Sequence, residues 1–267
     1  MAASEITPRV RSIDGLDTAA EMSRGGRSPM VPAMIAGAWM TVLVAQATGT
    51  AAALHHHALI EDGPPLWVAI PLFLVAWQVM VAAMMLPASL PMIRVVEAQM
   101  LTRPCRARAA FLGAFVVTWT VFGLLAFTGD FVLHHVVDTT PWLAARPWLI
   151  EAGVLILAGS YQFVPLKRRA LAACRHPGDP AVPASLAEQS ASRLGLRHGL
   201  DCLGSSWALM LVMFAGGFAS LRWMAALTVL MVYETRGRHG HRAATAAGIV
   251  LLLAALTTLS GTLSAGA

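Results

Sequence analysis

The sequence predicts an all-α fold: a polytopic bundle of about seven transmembrane helices, N-terminus in and C-terminus out. Three observations predict it. Only 12% of the 267 residues are charged and 57% are hydrophobic, with a mean hydropathy of +0.65, whereas soluble domains carry roughly 25% charged residues. Several apolar runs reach the ~20 residues that a helix needs to cross a hydrocarbon core. The Lys and Arg residues gather in every second connection between those runs, as orienting charges do.

Residues 1–30 are polar, and Arg9, Arg11, Arg24 and Arg27 are balanced by Glu5, Asp14, Asp17 and Glu21. They hold no apolar core of a signal peptide, so an uncleaved, disordered cytoplasmic tail is expected. Residues 31–267 are expected to form a single transmembrane domain. Its spans are predicted at about 33–54, 66–86, 109–129, 146–166 and 243–263, with a longer region at 200–235. As one helix that region would measure about 50 Å, too long for a core of about 30 Å. Gly216 and Gly217 near its middle suit a tight turn, so two short helices are expected near 200–215 and 218–234. Pro87 and Pro91 are expected to end the second span, and Pro165 to break the fourth.

Loop charges favour seven spans. From the N-terminus the connections hold 4, 0, 4, 1, 6, 1, 3 and 0 basic residues, which places 17 of the 19 on one side. With six spans the cluster Arg236, Arg238 and Arg242 would fall outside. Trp67, Trp142 and Trp148 then lie near outer helix ends, as an aromatic belt requires. The connection at about 167–198 reads as a flexible cytoplasmic loop, Pro-, Ala- and Ser-rich at 176–192. The net charge of +5 is spread over such loops, where it meets anionic lipid. No nucleic-acid partner is expected.

Three stretches at the inner face carry candidate chemistry. AMMLPASLPMI, residues 83–93, offers Met84 and Met85, with Met80 and Met92 nearby. Thioethers are soft ligands suited to Cu(I), although Met also packs well in cores. YQFVPLKRRALAACRHP, residues 161–177, brings basic Lys167, Arg168 and Arg169 to the interface and places Cys174 in the loop. RHGLDCLGSSWALM, residues 197–210, sets His198, Cys202 and Ser206 four apart on one helical face, half of a plausible metal site. Asp201 and Ser205 read there as groups serving the helix N-terminus, and Glu234 as an interfacial charge. All three Cys, including Cys105, fall on the reducing side, so no structural disulfide is expected.

A second group lies at the outer face. His55, His56 and His57 close the first span, followed by Glu61 and Asp62, and Asp130, His134 and Asp138 are spaced four apart beside His135. Such groups can hold Cu(II) or Zn(II), and a three-His run also serves as polar trim. No phosphate-binding loop, hydrolase elbow, zinc-protease or dinucleotide motif occurs, so no enzyme is expected.

The three inner-face stretches, in this order, resemble a bacterial family of predicted metal-binding integral membrane proteins of unassigned function, also described as copper-chaperone-like. The residues carrying the resemblance are AMMLP at 83–87, YQ-x-x-PLK at 161–167, Cys174, His198-Gly199, Cys202-Leu203-Gly204, Trp207, Leu209-Met210, Trp223-Met224 and Glu234. The resemblance spans about 66–240 and implies copper, bound by Cys174, Cys202 and His198 with Met84 and Met85 as softer partners. Family members typically read C-L-G-C-C-W where this chain has Cys202-Leu203-Gly204-Ser205-Ser206-Trp207. They carry a further Cys at Ala170, and a Tyr at Asp201. The expected function is therefore metal handling, foremost copper, in the inner membrane. The alternatives are a scaffold or assembly subunit that has lost its metal and holds a protein partner, and a small-molecule transporter. The lack of predicted midplane carboxylates speaks against the transporter.

Overall fold

A computed structural model describes residues 29–53, 64–99, 104–175, 187–215 and 221–265. Among them the apolar runs are helical. The main elements are α1 (Met30–Ala47), α2 (Leu66–Gln99), α3 (Pro104–Thr139), α4 (Trp148–Tyr161), α5 (Pro165–Arg175), α6 (Ala187–Ala215), α7 (Leu221–Arg236) and α8 (Gly240–Ala265). The segments Met30–Ala47, Leu66–Glu97, Cys105–Thr139 and Gly240–Ser260 are each long and apolar enough to cross a membrane. The pair α4 and α5, bent by 62° where Pro165 interrupts the helix, makes a fifth if it is one span. The division of 200–235 into two helices is found, and the expected turn at Gly216-Gly217 lies outside the described residues. The N-terminal tail to residue 28 and His55, His56 and His57 also lie outside them.

The polarity of the molecule is that of a protein dissolved in lipid. Val75, Leu125, Val229 and Val250 are each more than 60% exposed, while Lys167 and Glu234 are 1% and 2% exposed. Apolar side chains need no shelter from acyl chains, so the buried set is chosen for packing and polar pairing.

Three expectations are corrected. The second span does not end at Pro87 or Pro91, because α2 runs on to Gln99 with Pro71, Pro87 and Pro91 inside it. A proline deprives the carbonyl four residues earlier of its helical donor, and other helices supply donors here. Trp39 Nε1 on α1 donates to the Ala83 carbonyl at 3.0 Å, and an Arg236 guanidinium nitrogen on α7 donates to the Pro87 carbonyl. Secondly, Cys174 is not in a loop but on helix α5, and α6 already begins at Ala187, so 167–198 is mostly helix. Thirdly, Asp201 and Ser205 therefore sit inside α6 and do not serve its N-terminus.

Close approach between helices depends on small residues. On α6, Ala191, Gly195 and Gly199 form a stripe at four-residue spacing that faces α3. A methyl group at Gly195 would stand 2.3 Å from the Phe111 carbonyl oxygen, and one at Gly199 2.8 Å from Thr118 Oγ1. Small residues at such contacts are the usual means by which membrane helices gain packing surface. Between α2 and α3, Trp77 lies over Gly123, and its Nε1 donates to the Trp119 carbonyl at 2.9 Å.

Candidate metal centre

The α6–α3 contact and the proline-bearing stretch of α2 set the site. His198 is turned toward α3 and lies against the rings of Phe111 and Phe115, at centroid distances of 5.7 and 6.1 Å. Its Nε2 is 3.0 Å from Ser89 Oγ, on α2 between Pro87 and Pro91. One turn along α6, the buried Cys202 faces α2, with Sγ 3.8 Å from Met85 Sδ.

The two serines of α6 have defined roles. Ser205 Oγ and Ser206 Oγ both donate to the Cys202 carbonyl, at 2.8 and 2.7 Å. Ser206 Oγ also stands 3.6 Å from Met85 Sδ. Cys174, on α5, is half-buried against the same core. Ala170 meets α6 at Gly204, where an added methyl would stand 3.2 Å from the Ala170 methyl. The three positions at which the resembling family carries additional Cys thus fall on the faces by which α5 and α6 meet one another and α2.

The structure brings four of the five inner-face candidates, Met85, Cys174, His198 and Cys202, into one buried neighbourhood. Met84 is fully buried in the same core, and no contact from its sulfur to these groups stands out. Glu234 is no interfacial charge: it pairs with Lys167 at 2.9 Å, both deeply buried, and so joins α7 to the first turn of α5. Toward the C-terminal end of α3, His134 Nδ1 lies 2.9 Å from the Asp130 carbonyl oxygen and 3.5 Å from its Oδ2, which binds the ring to its own helix. Ser89 was not singled out from the sequence. The signal was present, since it is four residues beyond Met85 and so on the same face of α2.

The donor set fits a soft ion. Among the described residues no three of His, Cys, Asp and Glu converge. The inner cluster instead sets one thioether, Met85, against one thiol, Cys202, with the His198 imidazole one turn back on α6, ligand types that suit Cu(I). Two sulfurs each about 2.3 Å from a shared tetrahedral ion stand roughly 3.8 Å apart, and Met85 Sδ and Cys202 Sγ are 3.8 Å apart.

Fold and site together define a class: a helical membrane protein with a buried cluster of sulfur, hydroxyl and imidazole groups where α2, α3 and α6 meet. The family model described as PpoB2, copper chaperone, matches residues 74–258, from within α2 to within α8. The chain belongs to that family. No curated protein and no solved structure is significantly similar to it.

Proposed function

We propose that this protein binds and passes on Cu(I) within the bacterial inner membrane, with Met85, Cys202 and His198 as ligands and Cys174 alongside. The 3.8 Å separation of Met85 Sδ and Cys202 Sγ, inside a family described as copper chaperones, carries the reading. Copper is cargo here and no bond of a substrate is broken, so the role is one of binding and not of catalysis. Cys202 binds as thiolate, and its proton leaves as the ion enters. Ser89 is placed to hold the imidazole in register by hydrogen bonding to it. The alternation of basic connections supports seven crossings, with α6 and α7 as the two that polar residues make less hydrophobic, and with the pocket toward the cytoplasm.

The test is metal content by mass spectrometry of detergent-purified protein after equilibration with Cu(I), beside a Cys174→Ala/Cys202→Ala variant. Near-stoichiometric copper that disappears in the variant is expected. Copper retained in both would move the site to the other methionines or the outer histidines. A second reading, an assembly subunit that holds a protein partner without metal, is favoured by Ser205 and Ser206, whose hydroxyls are bonded to the Cys202 carbonyl. No copper in either protein, with a stoichiometric partner on purification, would favour it.

A further inference from the structure

A second polar site lies away from the sulfur pocket, where α4 breaks and α8 begins. A cavity of about 460 Å³ is lined by Gln162, Phe163, Lys167, Arg168, Leu171, His241, Ala244 and Thr245. Its floor is buried Gln162, Lys167, Leu171 and Ala244, and its mouth is exposed Phe163, Arg168, His241 and Thr245. Two helices start at it. Arg168 belongs to the first turn of α5 and His241 to the first turn of α8, and both line the cavity. The Lys167 charge is matched by Glu234, whereas Arg168 and His241 face the mouth.

The floor asks for a donor. Gln162 is 3% exposed, and its Nε2 donates to the Ala158 carbonyl at 3.1 Å. Its Oε1 is buried without a hydrogen-bond partner among the described residues. Beyond Thr245 the same stripe of α8 continues as Ile249, Leu253 and Leu256, each about half exposed, an apolar track leading from the mouth along the membrane-spanning helix.

We propose that this cavity binds a phosphoglycerol group, presented by an anionic phospholipid. The phosphate meets Arg168 and His241, a glycerol hydroxyl supplies the donor that Gln162 Oε1 lacks, and the acyl chains follow the α8 stripe. Basic pockets between membrane helices at the headgroup level recognise anionic lipid in this way. The site is independent of copper.

The experiment is native mass spectrometry of the full chain released from nanodiscs holding equal phosphatidylglycerol, phosphatidic acid and phosphatidylcholine. Wild type is expected to retain one phosphatidylglycerol in clear excess over the other two. Arg168→Gln/His241→Gln, both at exposed positions, should lose that excess by roughly tenfold, equivalent to about 1.4 kcal/mol. Gln162→Leu should bind phosphatidylglycerol and phosphatidic acid alike, because only the former brings the hydroxyl. Equal retention of phosphatidylcholine, or a double variant that binds as wild type does, overturns the proposal. Displacement of the lipid by soluble glycerol phosphate at matched concentration would support the phosphoglycerol chemistry and overturn the lipid source.

Discussion

The Trp39 indole donates to the carbonyl of Ala83 at 3.0 Å, the carbonyl that Pro87 leaves without its donor four residues on. The contact joins α1 to the stretch of α2 that presents Met85 and Ser89 to the pocket. Trp39→Phe keeps the ring bulk and removes the donor, and should lower stability by about 1–2 kcal/mol. In a Pro87→Ala background the new backbone N–H takes the carbonyl, so the same substitution should then have a smaller effect. Thermal unfolding of the four proteins in one detergent gives the coupling, and a coupling of zero would reject this account.

How the helix survives Pro87 and Pro91 was not legible in the sequence. Proline rules are local, and the donors that rescue α2 come from Trp39 and Arg236, remote in the chain. The apolar runs, the break at Pro165 and the division of 200–235 were legible, because hydrophobicity and backbone chemistry decide them locally. The His198–Cys202 face was legible from helical spacing. Its closure by Met85 and Ser89 depends on how α2 lies against α6, and that depends on tertiary contacts such as Gly195 against Phe111. Lys167 and Glu234 each looked like an interfacial charge, and only their pairing across 67 positions explains why both are buried.

The Lys167–Glu234 pair should behave as a buried unit. Lys167→Met or Glu234→Leu alone strands the opposite charge, with an expected loss of about 3–5 kcal/mol. The double variant Lys167→Met/Glu234→Leu removes both charges and should recover much of it. Folded yield and melting temperature of the three variants check this. Similar damage in the double variant and the singles would mean that the pair has a role other than mutual neutralisation.

The glycine stripe of α6 should control the proposed copper site from a distance. Gly195→Ala sets a methyl against the Phe111 backbone, which cannot turn away, so α3 and α6 must separate. Gly199→Ala meets the Thr118 side chain, at 2.8 Å from Oγ1 and 3.1 Å from Cβ, a milder approach than that of Gly195 to a backbone carbonyl. The expected order is a large loss of stability and of Cu(I) affinity for Gly195→Ala and a smaller loss for Gly199→Ala. Melting temperature and competition with a Cu(I) chelator measure both, and the reverse order would contradict the packing.

The last prediction concerns the serines that stand where family members carry thiols. Ser206 Oγ is 3.6 Å from Met85 Sδ and belongs to the same helix turn as Cys202, whose Sγ is 3.8 Å from that sulfur. A thiol at 206 would therefore enter the pocket as a second thiolate on the face already holding Cys202. Serine is a poor ligand for Cu(I) and thiolate a strong one, so Ser206→Cys should tighten Cu(I) binding by about tenfold or more, roughly 1.4 kcal/mol or greater. Ser205 Oγ, unlike Ser206 Oγ, makes no contact with Met85 Sδ among the described residues, so a gain from Ser205→Cys should draw on Cys174 and vanish in a Cys174→Ala background. The Ser206→Cys gain should instead depend on Met85 and fall in a Met85→Leu background. Chelator competition across wild type, the four single variants and the two double variants separates the two thiol positions, and an affinity indifferent to Ser206→Cys would place the copper elsewhere than between Met85 and Cys202.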